Sequence, residues 1–336
     1  MRDIDFTGRD GEVGSLLVHV LWLTSGLSCD GESVSLTAAT NPTLEELLRG
    51  AIPGQPRIVL YNPLLAFDSG DAYLQAWHAA TRGELDPYVL VVEGSVANEE
   101  LTGEGHWTGF GTDAEGQPIT ASTWIDRLAP RAVSVIALGT CAAYGGIPAM
   151  KNNPTGAMGL RDYLGHRFRT RSGSPPMNVP GCPVQPDAIT ETLQRVALEI
   201  GGAAPPMELD DQGRPLWLFE RTAHELCDRA GMAEHGRYAD SLAEHGRCLA
   251  KLGCAGPVAK CSVPARGWVN GVGGCPNVGG ICIACTMPGF PDRFLPFMDS
   301  TYLGRLSTRG GRFLYGPVLR HFRERSMRQA ERSLAK

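Results

Sequence analysis

Residues 133–146 read VSVIALGTCAAYGG: an apolar run rich in Val and Ile stops at Gly139, and a thiol, Cys141, follows at once. Runs of this kind, bounded by turn signals, read as short strands. Leu16 to Leu23, Arg57 to Tyr61, Tyr88 to Val92 and Met177 to Val179 repeat the pattern. Helical spacing of apolar residues lies between them, over 72–81, 121–128, 160–168 and 188–200. In Asn41-Pro42-Thr43-Leu44-Glu45-Glu46 a cap residue precedes a proline at the first helical position, with acids in the first turn. Strand and helix alternating at this rate predict an α/β fold, a parallel sheet with helices on both faces.

In an open sheet of that type the functional crevice lies beyond the carboxyl ends of the strands. Cys29 follows the first run in GLSCDGES, Cys141 follows the fourth, and Cys182 follows the fifth in VPGCPVQP. All three share one edge. A single buried cysteine can be no more than a small hydrophobe. Three of them at strand exits, each near a Gly or Pro that lets backbone approach closely, favour a common role. Glu93, in VVEGSV, leaves the third strand at the same edge. There a solvated loop acid or an N-cap competes with a functional role.

At 336 residues the chain can form one large or two medium domains. Apolar content of 43%, charged content of 20% and a net charge of -5 describe an ordinary globular protein with no reason to expect nucleic acid as a partner. The start, MRDIDFTGRDGEVG, has neither a basic n-region followed by an apolar h-region nor a twin arginine. LLVHVLWL, with its internal His, is too short to span a bilayer. A cytoplasmic location is the expectation.

Ten cysteines in a reducing compartment point to metal rather than to disulfides. Besides the three at the sheet edge, seven crowd into the second half, where from about Pro205 the alternation fades and Gly, Pro and Cys take over. The expected division is 1–205 for the sheet domain and 206–336 for an irregular one. In HELC, His224 and Cys227 stand three apart, one face of a helix; with Cys248 and Cys254 they make a set of one imidazole and three thiols. That set suits structural zinc as well as iron. Cys261, Cys275, Cys282 and Cys285 form a four-thiol group, the last three inside GVGGCPNVGGICIACTMPGF. Thiols among glycines and prolines favour iron-sulfur clusters, because backbone N–H groups can then reach the sulfurs. A dinucleotide loop at GVGG is the weaker reading, since no clear strand precedes it. Three cubane clusters need twelve ligands. Ten cysteines and His224 leave one place, for which Glu32 or Asp30 is the candidate.

At this point the chain resembles the electron-transferring small subunit of nickel-iron hydrogenases, and within them the actinobacterial-type branch. The resemblance runs from Trp22 to about Asp299 and rests on WLTSGLSC, VVEGSV, GTCAAYGG, PGCPVQP, HELC, GCAGP and GICIACTMPGFPD together. It implies a flavodoxin-like domain with a cluster proximal to the active site, followed by an irregular domain with medial and distal clusters. Residue by residue, it implies proximal ligands Cys29, Cys141 and Cys182, medial ligands Cys261, Cys282 and Cys285, and distal ligands His224, Cys227, Cys248 and Cys254. The sequence departs from the common pattern twice. Glu32 stands where many members have a second thiol of Cys-x-x-Cys, and Cys275 adds a fourth thiol to the medial set.

The resemblance further implies uptake of dihydrogen: oxidation to protons and electrons at a nickel-iron centre in the large subunit, and relay of electrons from proximal to medial to distal cluster. The clusters are expected to be of the four-iron type, with a three-iron cluster as the alternative at the proximal or medial site. Thiolates suit soft iron, a neutral imidazole raises the distal potential, and Glu32 would be a harder donor. Two other readings are the same subunit with Glu32 unbound and a three-iron proximal cluster, and a non-catalytic zinc-stabilised binding module. The implied partners are the large subunit, a doubled heterodimer, and a downstream acceptor such as a quinone or cytochrome. The tail from Gly304 carries nine Lys and Arg against two Glu. A solvated basic face is the first explanation and peripheral membrane contact the second.

Overall fold

A computed structural model describes residues 16–294 except positions 104, 114 and 243. The basic tail, with the membrane contact expected of it, lies outside the described residues. The chain divides into two compact units. The first is Met1–Glu220 with Trp268–Asn270 and Cys285–Pro291; the second is Arg221–Gly267, Gly271–Ala284 and Asp292–Lys336.

The first unit contains, in order, β1 (Leu17–Thr24), α1 (Gly31–Leu36), α2 (Leu44–Arg49), β2 (Arg57–Tyr61), α3 (Gly70–Arg82), β3 (Tyr88–Glu93), α4 (Ala121–Leu128), β4 (Ser134–Leu138), α5 (Gly139–Tyr144), α6 (Leu160–Leu164), β5 (Met177–Val179), α7 (Pro186–Ile200) and α8 (Leu216–Phe219). The strands form one sheet in the order β2-β1-β3-β4-β5, every pair parallel. That is the flavodoxin-like order. Successive side chains of a strand face opposite sides, so each strand feeds two cores. The row Trp22, Val91, Ile136 and Met177 is in register across four strands and packs on one face with Leu36, Leu47 and the α7 residues Ile189, Leu193 and Val196. Leu21, Leu23, Leu90, Val92 and Val135 point the other way, against Trp77 of α3 and Trp124 and Ile125 of α4. The expected helices on both faces are present.

Three details differ from the sequence reading. α2 begins one residue after Thr43, which is its cap: Thr43 Oγ1 accepts from the Glu46 N–H at 3.2 Å, and the Glu46 carboxylate accepts from the Thr43 N–H at 2.9 Å. That reciprocal pair satisfies two donors at once and displaces Asn41 and Pro42 from the helix. α6 stops at Leu164 instead of reaching residue 168, because Gly165 takes φ 83°, ψ 144°. α1 and α5, each six residues long, the first after the short loop that follows β1 and the second directly after β4, lie in Gly-containing stretches that carry no helical spacing in the sequence.

The second unit has little regular structure. Its helices among the described residues are α9 (Ala230–Glu234), α10 (Val263–Arg266) and a 3₁₀ turn over Leu249–Leu252. Single bridges join Thr222 to Lys260 and Tyr238 to Cys248.

Candidate metal centre

The parallel sheet brings the carboxyl ends of β1, β3, β4 and β5 to one edge. Cys29 is exposed in the loop after β1, Cys141 lies in α5 immediately after β4, and Cys182 is exposed after β5. Their fields overlap. Although Cys182 is exposed as a residue, the packing around its sulfur desolvates the thiol and pushes it up to about 11, and the charges of Cys141, Glu32 and Cys29 add to the shift. Burial likewise raises Cys141, with Glu32 and Cys29 contributing. The three thiols and Glu32 read from sequence are thus brought together on one edge.

Glycines let the loops close. A Cβ on Gly31 would stand 3.1 Å from Cys29 Sγ and 3.3 Å from a Pro183 carbon, so this glycine fits between the first and last thiol loops. Gly139, at φ +87°, would collide with the Glu32 carboxyl if it carried a Cβ. The β4 exit can therefore lie flat against that carboxyl only as glycine.

Glu32 is 6% exposed. Burial, then the charge of Glu93 and a hydrogen bond with its side chain, push the Glu32 carboxyl up to about 9; backbone N–H groups of Glu32 and Val184 act in the opposite direction. Asp30, the other candidate, is half-buried in a left-handed conformation (φ 54°), its N–H donating to Ser28 Oγ at 3.0 Å. Glu93 is not a solvated loop acid but fully buried. It accepts from Trp22 Nε1 at 2.8 Å, Ser33 Oγ at 2.5 Å and the backbone N–H of Glu32 at 3.0 Å. A buried carboxylate holding the first turn of α1 fixes the loop that carries Cys29 and Glu32. Ser33 and Trp22 were not singled out from sequence. The available signal was an indole N–H on a strand buried throughout, which requires an acceptor.

In the second unit, His224 and Cys227 lie in a hydrogen-bonded turn, the Cys227 N–H donating to the His224 carbonyl at 3.1 Å, and not on a helix. Gly256 packs between Cys254 and His224: a Cβ there would stand 3.5 Å from Cys254 Sγ and 3.6 Å from His224 Cβ. The charge of Cys254 adds to the upward shifts of Cys227 and Cys248, both raised mainly by burial. Cys282 is pushed up to about 12 by burial, with Cys254, Cys261 and Cys275 adding to it. Cys285 belongs to the first unit, where its carbonyl accepts from Thr140 Oγ1.

One backbone device repeats. The Arg229 N–H donates to Cys227 Sγ at 3.4 Å, and the backbone N–H groups of Ala250, Val263 and Ala284, each two residues on, act against the upward shifts of Cys248, Cys261 and Cys282. The Cys282 N–H in turn donates to Cys254 Sγ at 3.3 Å. Donors aimed at sulfur stabilise thiolate and tune the iron it holds. Among the described residues, no three His, Cys, Asp or Glu side chains close on one point as ligands of a single ion do. Soft donors served by backbone N–H groups fit iron-sulfur clusters.

Comparison with known proteins follows the same division. Residues 29–196 match the family described as NADH ubiquinone oxidoreductase, 20 Kd subunit, and residues 219–298 match the C-terminal family of NiFe/NiFeSe hydrogenase small subunits. The periplasmic [NiFeSe] hydrogenase small subunit of Desulfomicrobium baculatum is 33% identical over 290 residues, covering 84% of this chain and 88% of the relative. Small subunit 1 of the periplasmic [NiFe] hydrogenase of Nitratidesulfovibrio vulgaris is 33% identical, covering 85% and 84%. The solved actinobacterial-type NiFe-hydrogenase from Ralstonia eutropha H16 superposes with a TM-score of 0.85 at 53% identity, over 94% of this chain and 92% of that one.

Proposed function

The chain belongs to the small subunits of nickel-iron hydrogenases, and from that premise we propose that it relays electrons from dihydrogen oxidation through three iron-sulfur clusters. Electron transfer in partnership with a large subunit, which holds the nickel-iron centre, comes with the family. The uptake direction and the cluster assignments are the proposal. The observation that carries it is the meeting of Cys29, Cys141, Cys182 and Glu32 at the carboxyl edge of a flavodoxin-like sheet, where such folds place their function.

In this reading Cys29, Cys141, Cys182 and Glu32 hold the proximal cluster, Cys261, Cys275, Cys282 and Cys285 the medial one, and His224, Cys227, Cys248 and Cys254 the distal one. When bound, the clusters supply one-electron redox sites. The residues supply thiolate, carboxylate and imidazole donors, and the N–H groups of Arg229 and Cys282 are aimed at the sulfurs of Cys227 and Cys254. Because burial raises the thiols of Cys227, Cys248, Cys261 and Cys282, ligation by them releases protons. A dimer of heterodimers and a quinone or cytochrome acceptor complete the proposal on resemblance alone.

A second reading leaves Glu32 unbound over a three-iron proximal cluster. It is favoured by the engagement of the Glu32 carboxyl with Glu93 and the Val184 N–H. Glu32→Cys separates the two. With ligation, redox titration monitored by EPR shows a displaced proximal potential and signal; without it both stay as in the parent. Mössbauer spectra that assign four irons rather than three to the proximal cluster decide the same question independently.

A further inference from the structure

Thr140 is 1% exposed and occupies the second position of α5, next to Cys141. A threonine hydroxyl in a helix usually returns to a carbonyl of its own helix. This one donates instead to the carbonyl of Cys285, 145 residues away. The Thr140 backbone N–H donates to the Gly181 carbonyl at 2.8 Å, next to Cys182. Three cysteine-bearing segments thus meet at one residue, Thr140, through its hydroxyl and its backbone N–H, all within the first unit. β-Branching restricts χ1, so the hydroxyl direction is set along with the backbone.

A second contact secures the same segment. Arg214, 2% exposed, is paired with Asp210 at 2.7 Å and reaches the Thr286 carbonyl at 3.3 Å and Met287 Sδ at 3.6 Å. Carbonyls of consecutive residues, 285 and 286, are therefore held by two different side chains of the sheet unit.

We propose that Thr140 is a positioning residue that keys the backbone of Cys285 to the strand exits bearing Cys141 and Cys182, holding ligands of the proximal and medial sites in one hydrogen-bonded frame. The proposal rests on the ligand assignment given above. Electron transfer falls steeply with separation, so a frame that fixes one ligand segment against the other holds the transfer rate constant. Valine keeps the shape of threonine and removes the donor; serine keeps the donor.

The test compares Thr140→Val and Thr140→Ser in the assembled heterodimer. Hydrogen exchange of residues 285–291 is expected to accelerate about tenfold in Thr140→Val, the loss of one buried hydrogen bond, and to stay within about twofold in Thr140→Ser. EPR should show altered signals at the two sites sharing Thr140 in Thr140→Val, an unaltered signal from the His224 set, and parental signals in Thr140→Ser. If Thr140→Val fails to assemble, a parental Thr140→Ser still supports the proposal, and a failing Thr140→Ser overturns it. Unchanged exchange in Thr140→Val overturns it too, as does faster exchange with parental EPR. Absence of the two signals from the parent complex would instead sink the ligand assignment, while the exchange comparison still reads the Thr140 contact.

Discussion

The first unit buries Trp22, Trp77, Trp124, Leu21, Leu23, Leu90 and Ile125 completely, on two faces of a five-stranded sheet. In the second, the buried apolar side chains among the described residues are Ala223, Ala230, Ala239, Ala259, Ala284, Pro264, Pro276, Cys248, Cys282 and one large one, Leu249. Burial stabilises by roughly 25 cal/mol per Å² of apolar surface. Alanines contribute little of that, so the second unit lacks the means to offset its own chain entropy. What it has instead is sulfur, with backbone N–H groups already turned toward it. In the first unit apolar packing defines the fold; in the second, on the proposed cluster assignment, ligation would replace the core.

Iron removal gives the largest expected effect. In protein prepared without iron, amide protection over 221–267 and 271–284 should fall by orders of magnitude while β1, β3 and β4 stay protected. Persistent protection of the second unit would break the comparison. The converse perturbation is Trp124→Ala. Trp124 meets Trp77 edge-on at 5.5 Å between centroids and donates to the Phe110 carbonyl at 2.7 Å. Its loss should cost the first unit about 3–5 kcal/mol in denaturant unfolding. EPR signals from the His224 set should not change, since that unit does not depend on this core.

The same contrast explains what was legible in the sequence. Hydrophobic runs such as 133–138 carry their strand in their composition, and the edge on which Cys29, Cys141 and Cys182 gather follows from parallel topology alone. The candidate ligand residues stand out in the sequence because thiols in such number have few other uses. HELC forms a tight turn rather than the expected helix, because a spacing of three is served equally by a turn closed by the Cys227 N–H on the His224 carbonyl. At Glu93 the sequence leaves a solvated acid or cap and a functional role both open, because a carboxylate is ordinarily costly to bury. Its four donors come from Trp22, Glu32 and, twice, Ser33, 60 to 71 residues away in the chain. No local pattern announces such a convergence.

A smaller effect separates the units by pH. His19 is 3% exposed in β1, stacked on Tyr61 at 5.9 Å, with Nδ1 3.2 Å from the Tyr61 hydroxyl. Burial lowers its pKa below 6.5, against a weaker upward pull from Asp86. The folded form therefore keeps the imidazole neutral where the unfolded chain takes up a proton. That contribution is complete above pH 6.5 and is lost as the pH falls from 6.5 toward the folded value. His19→Phe should remove this dependence from the unfolding of the first unit and leave exchange in 221–267 unaffected. A His19→Phe protein with the parental pH slope would show that another group titrates.

The finest test uses one motif that occurs in both units. Thr43 and Glu46 form a capping box, and Thr222 and Glu225 form the same one: Thr222 Oγ1 accepts from the Glu225 N–H at 3.2 Å, and Glu225 Oε2 accepts from the Thr222 N–H at 2.6 Å. The first starts α2, which places Leu47 in the core; the second starts the turn that carries His224 and Cys227. Replacing either threonine by alanine removes about 1 kcal/mol of local stabilisation. In the first unit that loss should appear in full, lowering its melting temperature by about 2–4 °C. In the iron-loaded second unit ligation already holds the turn, so Thr222→Ala should leave melting unchanged and instead speed the loss of iron to a chelator. Equal melting shifts in the two variants would mean that the second unit leans on its backbone as much as the first, and the contrast drawn between them would fail.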